Sequence, residues 1–261
     1  MRSSVTRLAR LLYIGLNLSR MHLVSYVVNG LSAALWLLVV FVPTVVLTGH
    51  PLHAFRVFLP GVFAMSVGAI GMWIATEFTR WSVYQGLTDM FRECGLGVLH
   101  YLVSCVIVDC VAMSVATYFI TACGVAAYIS SSLSIVLPQN PLLFLYAVAL
   151  SVAPYLLCGA ATALLYVRTR ISGAWTNLFQ MALALGTVVP PKAFGIPWLA
   201  LVNPATVVAE VMRCAYGAPS IPPSILLPLA PIIAGIEIAL AIALAERADR
   251  EIALRGIEFR F

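Results

Sequence analysis

Residues 73–97 read WIATEFTRWSVYQGLTDMFRECGLG and form the one long polar interruption in the apolar first half of the chain. Its charged side chains are Glu77, Arg80, Asp89, Arg92 and Glu93. Apolar runs long enough to cross a bilayer lie on both sides of it. A polar, helix-compatible stretch between two such runs predicts a segment outside the membrane that contacts another molecule.

The composition restricts the protein class. Of 261 residues, 62% are hydrophobic and only 10% are charged. Soluble domains are about 25% charged, so this chain has too little charge to cover a water-facing surface. The apolar runs are continuous and do not alternate, which favours helices over a β-barrel. We therefore predict an all-α integral membrane protein.

Six apolar runs predict a single transmembrane domain, 1–261, with six spans. We place them at 23–47, 58–76, 98–126, 142–167, 175–189 and 225–245. In the second span Gly61, Gly68 and Gly71 are spaced so that another helix can approach closely. In the fourth, Pro154 interrupts the hydrogen-bond ladder and predicts a kink.

The N-terminal residues 1–21 have an amphipathic helical pattern. Four arginines alternate with apolar residues that recur at steps of three and four. Such a helix lies in the headgroup plane, where arginine meets anionic lipid, so membrane lipids are an expected partner. The alternative is a plain cytoplasmic tail.

The distribution of basic residues predicts the orientation. Twelve of the fifteen Lys and Arg residues fall on the side that holds the N-terminus, the segment 77–97, the loop with Arg168 and Arg170, and the tail 246–261. Cytoplasmic loops carry such an excess, which places these parts in the cytoplasm of a multi-pass cell-membrane protein. The net charge of +5 therefore reflects topology, and no nucleic-acid partner is expected.

Catalytic motifs of soluble enzymes are missing from the sequence. It contains no GxxxxGK[ST] phosphate loop, HExxH metal motif or GxSxG nucleophile motif. We expect no enzyme activity, metal site or cofactor in this chain. Another subunit or an ion gradient would have to supply energy for transport.

Two acidic residues, Asp109 and Glu237, lie inside predicted spans. A charged side chain there costs on the order of 3 kcal/mol, so each needs a partner or water. One interpretation is a proton or cation site. The other is an interhelical hydrogen bond with a structural role.

The region 190–223 is too broken by proline for a spanning helix. Pro197 and Pro204 separate short apolar pieces, and a helix is predicted to begin at Thr206, after the Asn203-Pro204 turn. We expect these pieces to enter the membrane from the outer face and return, which requires protein cover or a cavity. Glu210 and Arg213 are three residues apart and can pair on one helix face. The alternative is an ordinary outer loop with one short helix.

The pattern Asn-Pro-x-Thr-x-x-x-Glu-x-x-Arg before the last span resembles the type-2 family of ATP-binding-cassette (ABC) exporter permeases. Its residues here are Asn203, Pro204, Thr206, Glu210 and Arg213. The stretch after the second span is also similar to the family's coupling region. The matching residues there are Glu77, Arg80, Gly86, Asp89, Arg92 and Glu93.

This resemblance implies a half-transporter. A second copy, or a related permease, would complete the membrane pathway, and each copy would bind a cytoplasmic ABC ATPase subunit that holds ATP and magnesium. The segment 77–97 would receive force from that subunit, and 203–213 would form an outer gate. The apolar spans suit an amphiphilic substrate, drug-like or lipidic.

Two other function classes are compatible with the same residues. The first is an ion-coupled transporter or channel that uses Asp109 and Glu237. The second is a membrane scaffold that anchors a partner and transports nothing.

Overall fold

The computed structural model describes residues 9–13, 15–17, 20, 23–47, 50–84, 93–129, 133–169, 173–195 and 202–255, which are mainly helical, as predicted. Short 3-10 turns lie at Leu133–Val136 and Pro191–Phe194. The helices are α1 (Leu23–Leu47), α2 (Pro51–Tyr84), α3 (Val98–Tyr128), α4 (Pro141–Leu150), α5 (Val152–Thr169), α6 (Gly173–Thr187), α7 (Thr206–Ala215) and α8 (Pro223–Arg255).

Four helical segments of the described chain are long and apolar enough to cross a membrane. They are Pro51–Thr79, Val98–Tyr128, Pro141–Thr169 and Pro223–Leu254. Each exceeds the ~20 residues that a hydrocarbon core requires. These helices fit a multi-pass membrane protein.

Helices α2 and α8 extend beyond the spans predicted from hydropathy. Helix α2 has 34 residues and includes Glu77 and Arg80, the first charged residues of the predicted coupling segment 77–97. Helix α8 has 33 residues and includes most of the predicted tail, up to Arg255. The physical reason is that hydropathy falls at the membrane surface while the helix continues, because no proline or glycine follows until Gly86 and Gly256.

Three helical runs contain irregular backbone. Residues Val106–Met113 of α3 form a π-helical segment. The break between α4 and α5 lies at Ser151, one turn before Pro154, whose ring nitrogen cannot donate a hydrogen bond to the Leu150 carbonyl. In α6, Leu185 has ψ 120° and Gly186 has φ 90°, so the helical backbone ends there.

Helix α5 lies at the centre and packs against both α2 and α8. The glycines of α2 permit this packing, as predicted. A Cβ on Gly71 would lie 3.1 Å from the carbonyl carbon of Tyr155 in α5. A Cβ on Gly61 would lie only 2.5 Å from the carbonyl carbon of Thr187 in α6. Because both positions are glycine, α2 can pack directly against the backbone of α5 and α6.

The N-terminal residues that the structure describes are helical, in line with the predicted amphipathic helix. Arg10 and Arg20 are exposed. Gly15 is buried with its backbone against the carbonyl of Ser104 in α3. The N-terminal helix therefore packs on the first part of α3.

Candidate functional site

The predicted gate residues lie together where α6 ends and α7 begins. Asn203 and Pro204 form the turn that starts α7, with the Ala205 amide donating to Asn203 Oδ1 over 3.0 Å and the Thr206 amide to the Asn203 carbonyl over 3.1 Å. Asparagine favours such turns because its side chain accepts from the backbone two residues later. The helix predicted to begin at Thr206 is confirmed.

The amide of Asn203 also closes the broken end of α6. Its Nδ2 donates to the carbonyls of Ala182 at 3.2 Å, Leu183 at 3.0 Å and Leu185 at 2.5 Å. The last carbonyls of a helix have no intrahelical partner, and an amide NH2 group carries two hydrogens to offer them. Asn203 therefore stabilises a helix end that the positive φ of Gly186 creates.

The predicted pair between Glu210 and Arg213 is confirmed. Arg213 Nη1 lies 2.5 Å from Glu210 Oε1, and both side chains are fully buried. The second carboxylate oxygen accepts from the amides of Ser220 at 2.9 Å and Ile221 at 3.2 Å. The carboxylate is thus hydrogen bonded on both oxygens, which a buried ion pair requires.

Arg213 connects three parts of the fold. Its Nε donates to the carbonyl of Val57 in α2 over 2.8 Å. Its Nη2 donates to the carbonyl of Thr187 and, over 3.4 Å, to that of Val188, just past the break in α6. Asn203 and Arg213 together therefore supply hydrogen-bond donors to the backbone around the broken end of α6, residues 182–188.

The remaining polar groups of this region are uncharged at neutral pH. Burial raises the pKa of the Tyr216 phenol to about 12 and that of the Cys214 thiol to about 11. Thr206 is buried, and its hydroxyl has no hydrogen-bond partner in the part of the chain that the structure describes. Glu210 and Arg213 are consequently the charged groups of segment 202–223.

An apolar pocket of about 490 Å³ opens beside Asn203, between α2, α5 and α6. Its wall contains two polar side chains, both already engaged. The Thr162 hydroxyl donates to the Cys158 carbonyl over 2.8 Å, and the Asn203 amide binds the end of α6. The lining residues are Met72, Leu157, Cys158, Ala161, Thr162, Phe179, Ala182, Leu183, Leu185, Val202, Asn203 and Pro204. Such a surface suits hydrocarbon and provides no charged group for an ion.

The predicted coupling residues that the structure describes lie near the end of α2 and just before α3. Glu77 is exposed near the end of α2, and Glu93 is exposed just before α3. Arg80 lies in α2, and Gly86, Asp89 and Arg92 fall outside the described residues. Val57, which contacts Arg213, precedes Glu77 by twenty residues of one helix, or about 30 Å at 1.5 Å per residue. That separation equals the thickness of a hydrocarbon core.

The two acidic residues of the apolar helices are buried at separate places. Asp109 lies in the π-helical segment of α3 and interacts with the Cys105 thiol one turn earlier. Glu237 lies on α8 and faces the region of Cys158 in α5. Among the described residues, no group of three His, Cys, Asp or Glu side chains is placed to hold a metal ion.

Two polar contacts of residues 246–255 were not predicted from the sequence. The Val98 amide donates to Asp249 Oδ1 over 3.0 Å, and Arg168 pairs with Glu251 at 2.6 Å. The partners are far apart in the chain, so no local spacing indicates them.

Comparisons with protein-family models, curated proteins and solved structures found no match.

Proposed function

We propose that this chain is the membrane-spanning permease subunit of an ATP-driven exporter of the type-2 ABC class. Two such subunits form the pathway, and a separate cytoplasmic ATPase drives each of them. In this proposal six helices cross the membrane with both termini in the cytoplasm, and the substrate is amphiphilic.

The observation that supports the proposal best is the junction between α6 and α7. A buried ion pair and an asparagine amide satisfy a broken helix end immediately beside an apolar pocket. Broken helices inside membranes are tolerated where protein covers them or where they border a cavity, and transporters place binding sites there. A scaffold has no need for such a junction.

The length of α2 is consistent with action across the membrane. Near one end of this helix the Val57 carbonyl accepts a hydrogen bond from Arg213, and Glu77 lies about 30 Å away toward the other end. A displacement of the segment 77–97 by an ATPase would reach the gate through one continuous helix. Rigid-body tilting of packed helices is an established form of alternating access.

The test is purification of the tagged chain with its associated proteins from its native membrane. We expect an ABC ATPase subunit to co-purify and its hydrolysis rate to change when the two are assembled. Gly86→Pro, and charge reversal at Asp89 or Arg92, should leave hydrolysis but uncouple it from transport. Failure to find an ATPase partner would refute the proposal.

An ion-coupled transporter is the second candidate, because Asp109 and Glu237 are both buried in apolar helices. It predicts flux into liposomes that contain this chain alone, without ATP. That flux should be lost in Asp109→Asn or Glu237→Gln. Flux that survives both substitutions would exclude these carboxylates as the coupling site.

A further inference from the structure

The start of α3 is capped by a residue from the far end of the chain. Asp249 Oδ1, on α8, accepts from the Val98 amide over 3.0 Å. This amide is in the first turn of α3, where backbone N–H groups have no helical partner and the helix dipole favours a negative charge. The cap fixes the point where the stretch 73–97 ends.

Gly97 leaves the space that the cap occupies. A Cβ on this glycine would lie 2.7 Å from Cγ of Asp249, too close for a carbon atom. Its φ of −128° is an extended conformation that any residue can adopt. Glycine therefore fits this position because the Asp249 carboxylate fills the space of a side chain, and not because of its own backbone conformation.

A second contact joins the same part of α8 to α5. Arg168 donates from Nε over 2.8 Å and from Nη2 over 2.6 Å to Oε1 of Glu251, two residues after Asp249. Glu251 is only 13% exposed. The last turns of α8 thus hold both the start of α3 and the end of α5.

The length of α8 explains how it reaches this position. Its 33 residues extend about 50 Å at 1.5 Å per residue, whereas the hydrocarbon core is ~30 Å thick. Residues 246–255 carry six charged side chains and continue the helix past its apolar part without a break. They form a rigid extension and not a loose tail.

We propose that Asp249 and Glu251 form a rigid joint at the end of α8, in which Asp249 ties the start of α3, and Glu251 the end of α5, to the last helix. That this joint transmits force from an ATPase rests on the proposed function; that it holds α3, α5 and α8 together does not. Asp249 acts as a positioning residue: it fixes the end of the 73–97 stretch relative to α8. The contacts of Asp249 with Val98 and of Glu251 with Arg168 persist throughout the transport cycle.

The experiment uses full-length protein with Cys94→Ser, which removes the nearby native thiol, and with Gly97→Cys and Asp249→Cys. A Cβ at position 97 would lie 2.7 Å from Cγ of Asp249, which is one bond from the Cβ of that residue, so the two positions are close enough for a disulfide. We expect an oxidant to form the cross-link and transport per ATP to match that of the parent. Absence of the cross-link would overturn the joint. Transport lost on oxidation and recovered on reduction would show that the joint opens, which also overturns it.

Asp249→Ala supplies a readout that is independent of any ATPase. Exchange of the Val98 amide hydrogen should accelerate by about tenfold or more, because its only described acceptor is removed. In the assembled transporter the same substitution should reduce transport per ATP. Arg250→Ala, at the next residue but 77% exposed, is the matched control and should change neither. Unchanged Val98 exchange in Asp249→Ala would refute the joint even if the ATPase assembly proves correct.

Discussion

Replacement of Arg213 by methionine should destabilise the protein strongly, because this buried side chain joins several helices. Arg213→Met keeps much of the side-chain volume but removes the donors to Glu210, Val57, Thr187 and Val188. The Glu210 carboxylate would remain buried with only the amides of segment 220–221 as donors. Loss of one member of a buried pair costs roughly 3–5 kcal/mol. We expect a loss of stability in that range.

Glu210→Gln should cost less than Arg213→Met. In Glu210→Gln the guanidinium of Arg213 would keep its bonds to the carbonyls of Val57, Thr187 and Val188. In Arg213→Met the Glu210 carboxylate would keep only two amide donors, both on one oxygen. The double substitution Glu210→Leu with Arg213→Met removes both charges. It should therefore be more stable than Arg213→Met alone, because no unpaired charge stays buried.

The assay is equilibrium unfolding of the purified variants in one detergent, followed by circular dichroism. Arg247→Met is the control, because Arg247 is 63% exposed and lies 3.8 Å from its carboxylate partner. Exposed pairs contribute less than about 1 kcal/mol. If Arg213→Met unfolds within about 1 kcal/mol of the parent, the pair does not hold the junction between α6 and α7.

Three further predictions follow from other parts of the structure. Asn203→Asp should destabilise the protein at least as much as Asn203→Ala, by about 1–3 kcal/mol in detergent unfolding, because a carboxylate would face three carbonyl oxygens. Equal stability of Asn203→Asp and the parent would contradict the role of Asn203 as the cap of α6. Ala182→Phe should abolish binding of an apolar fluorescent probe by filling the pocket, whereas Met181→Phe, at the exposed neighbouring position, should preserve binding. Binding that is retained in Ala182→Phe would show that the probe binds elsewhere. In a variant that keeps only Cys94, which is exposed, a membrane-impermeant maleimide should react in inside-out vesicles and not in intact cells; labelling of intact cells would reverse the orientation.

The helical class and the local pairings were predictable from the sequence because they depend on neighbouring residues. Continuous apolar runs indicated helices, and α1 has the range predicted for the first span. The spacing of three residues was enough to predict the pair of Glu210 and Arg213. Its other hydrogen bonds were not predictable, since the acceptors of Arg213 are backbone carbonyls, which every residue has.

Contacts between distant parts of the chain also could not be predicted. Val98 and Asp249 are 151 residues apart, and nothing in the pattern around either residue indicates the other. Helices α2 and α8 extend beyond the predicted spans for a different reason. Hydropathy detects where side chains leave an apolar environment, whereas a helix ends where its backbone bonding ends, here well into the charged residues.

ATP-driven transport by the reconstituted complex tests the central claim most directly. Inside-out proteoliposomes would contain this chain with its co-purified ATPase, or with a hydrolysis-deficient variant of that ATPase, and an amphiphilic fluorescent probe would be added outside. We predict that the probe accumulates in the lumen only when ATP and the active ATPase are both present. Accumulation by this chain alone, driven by an ion gradient and lost in Asp109→Asn, would contradict the account.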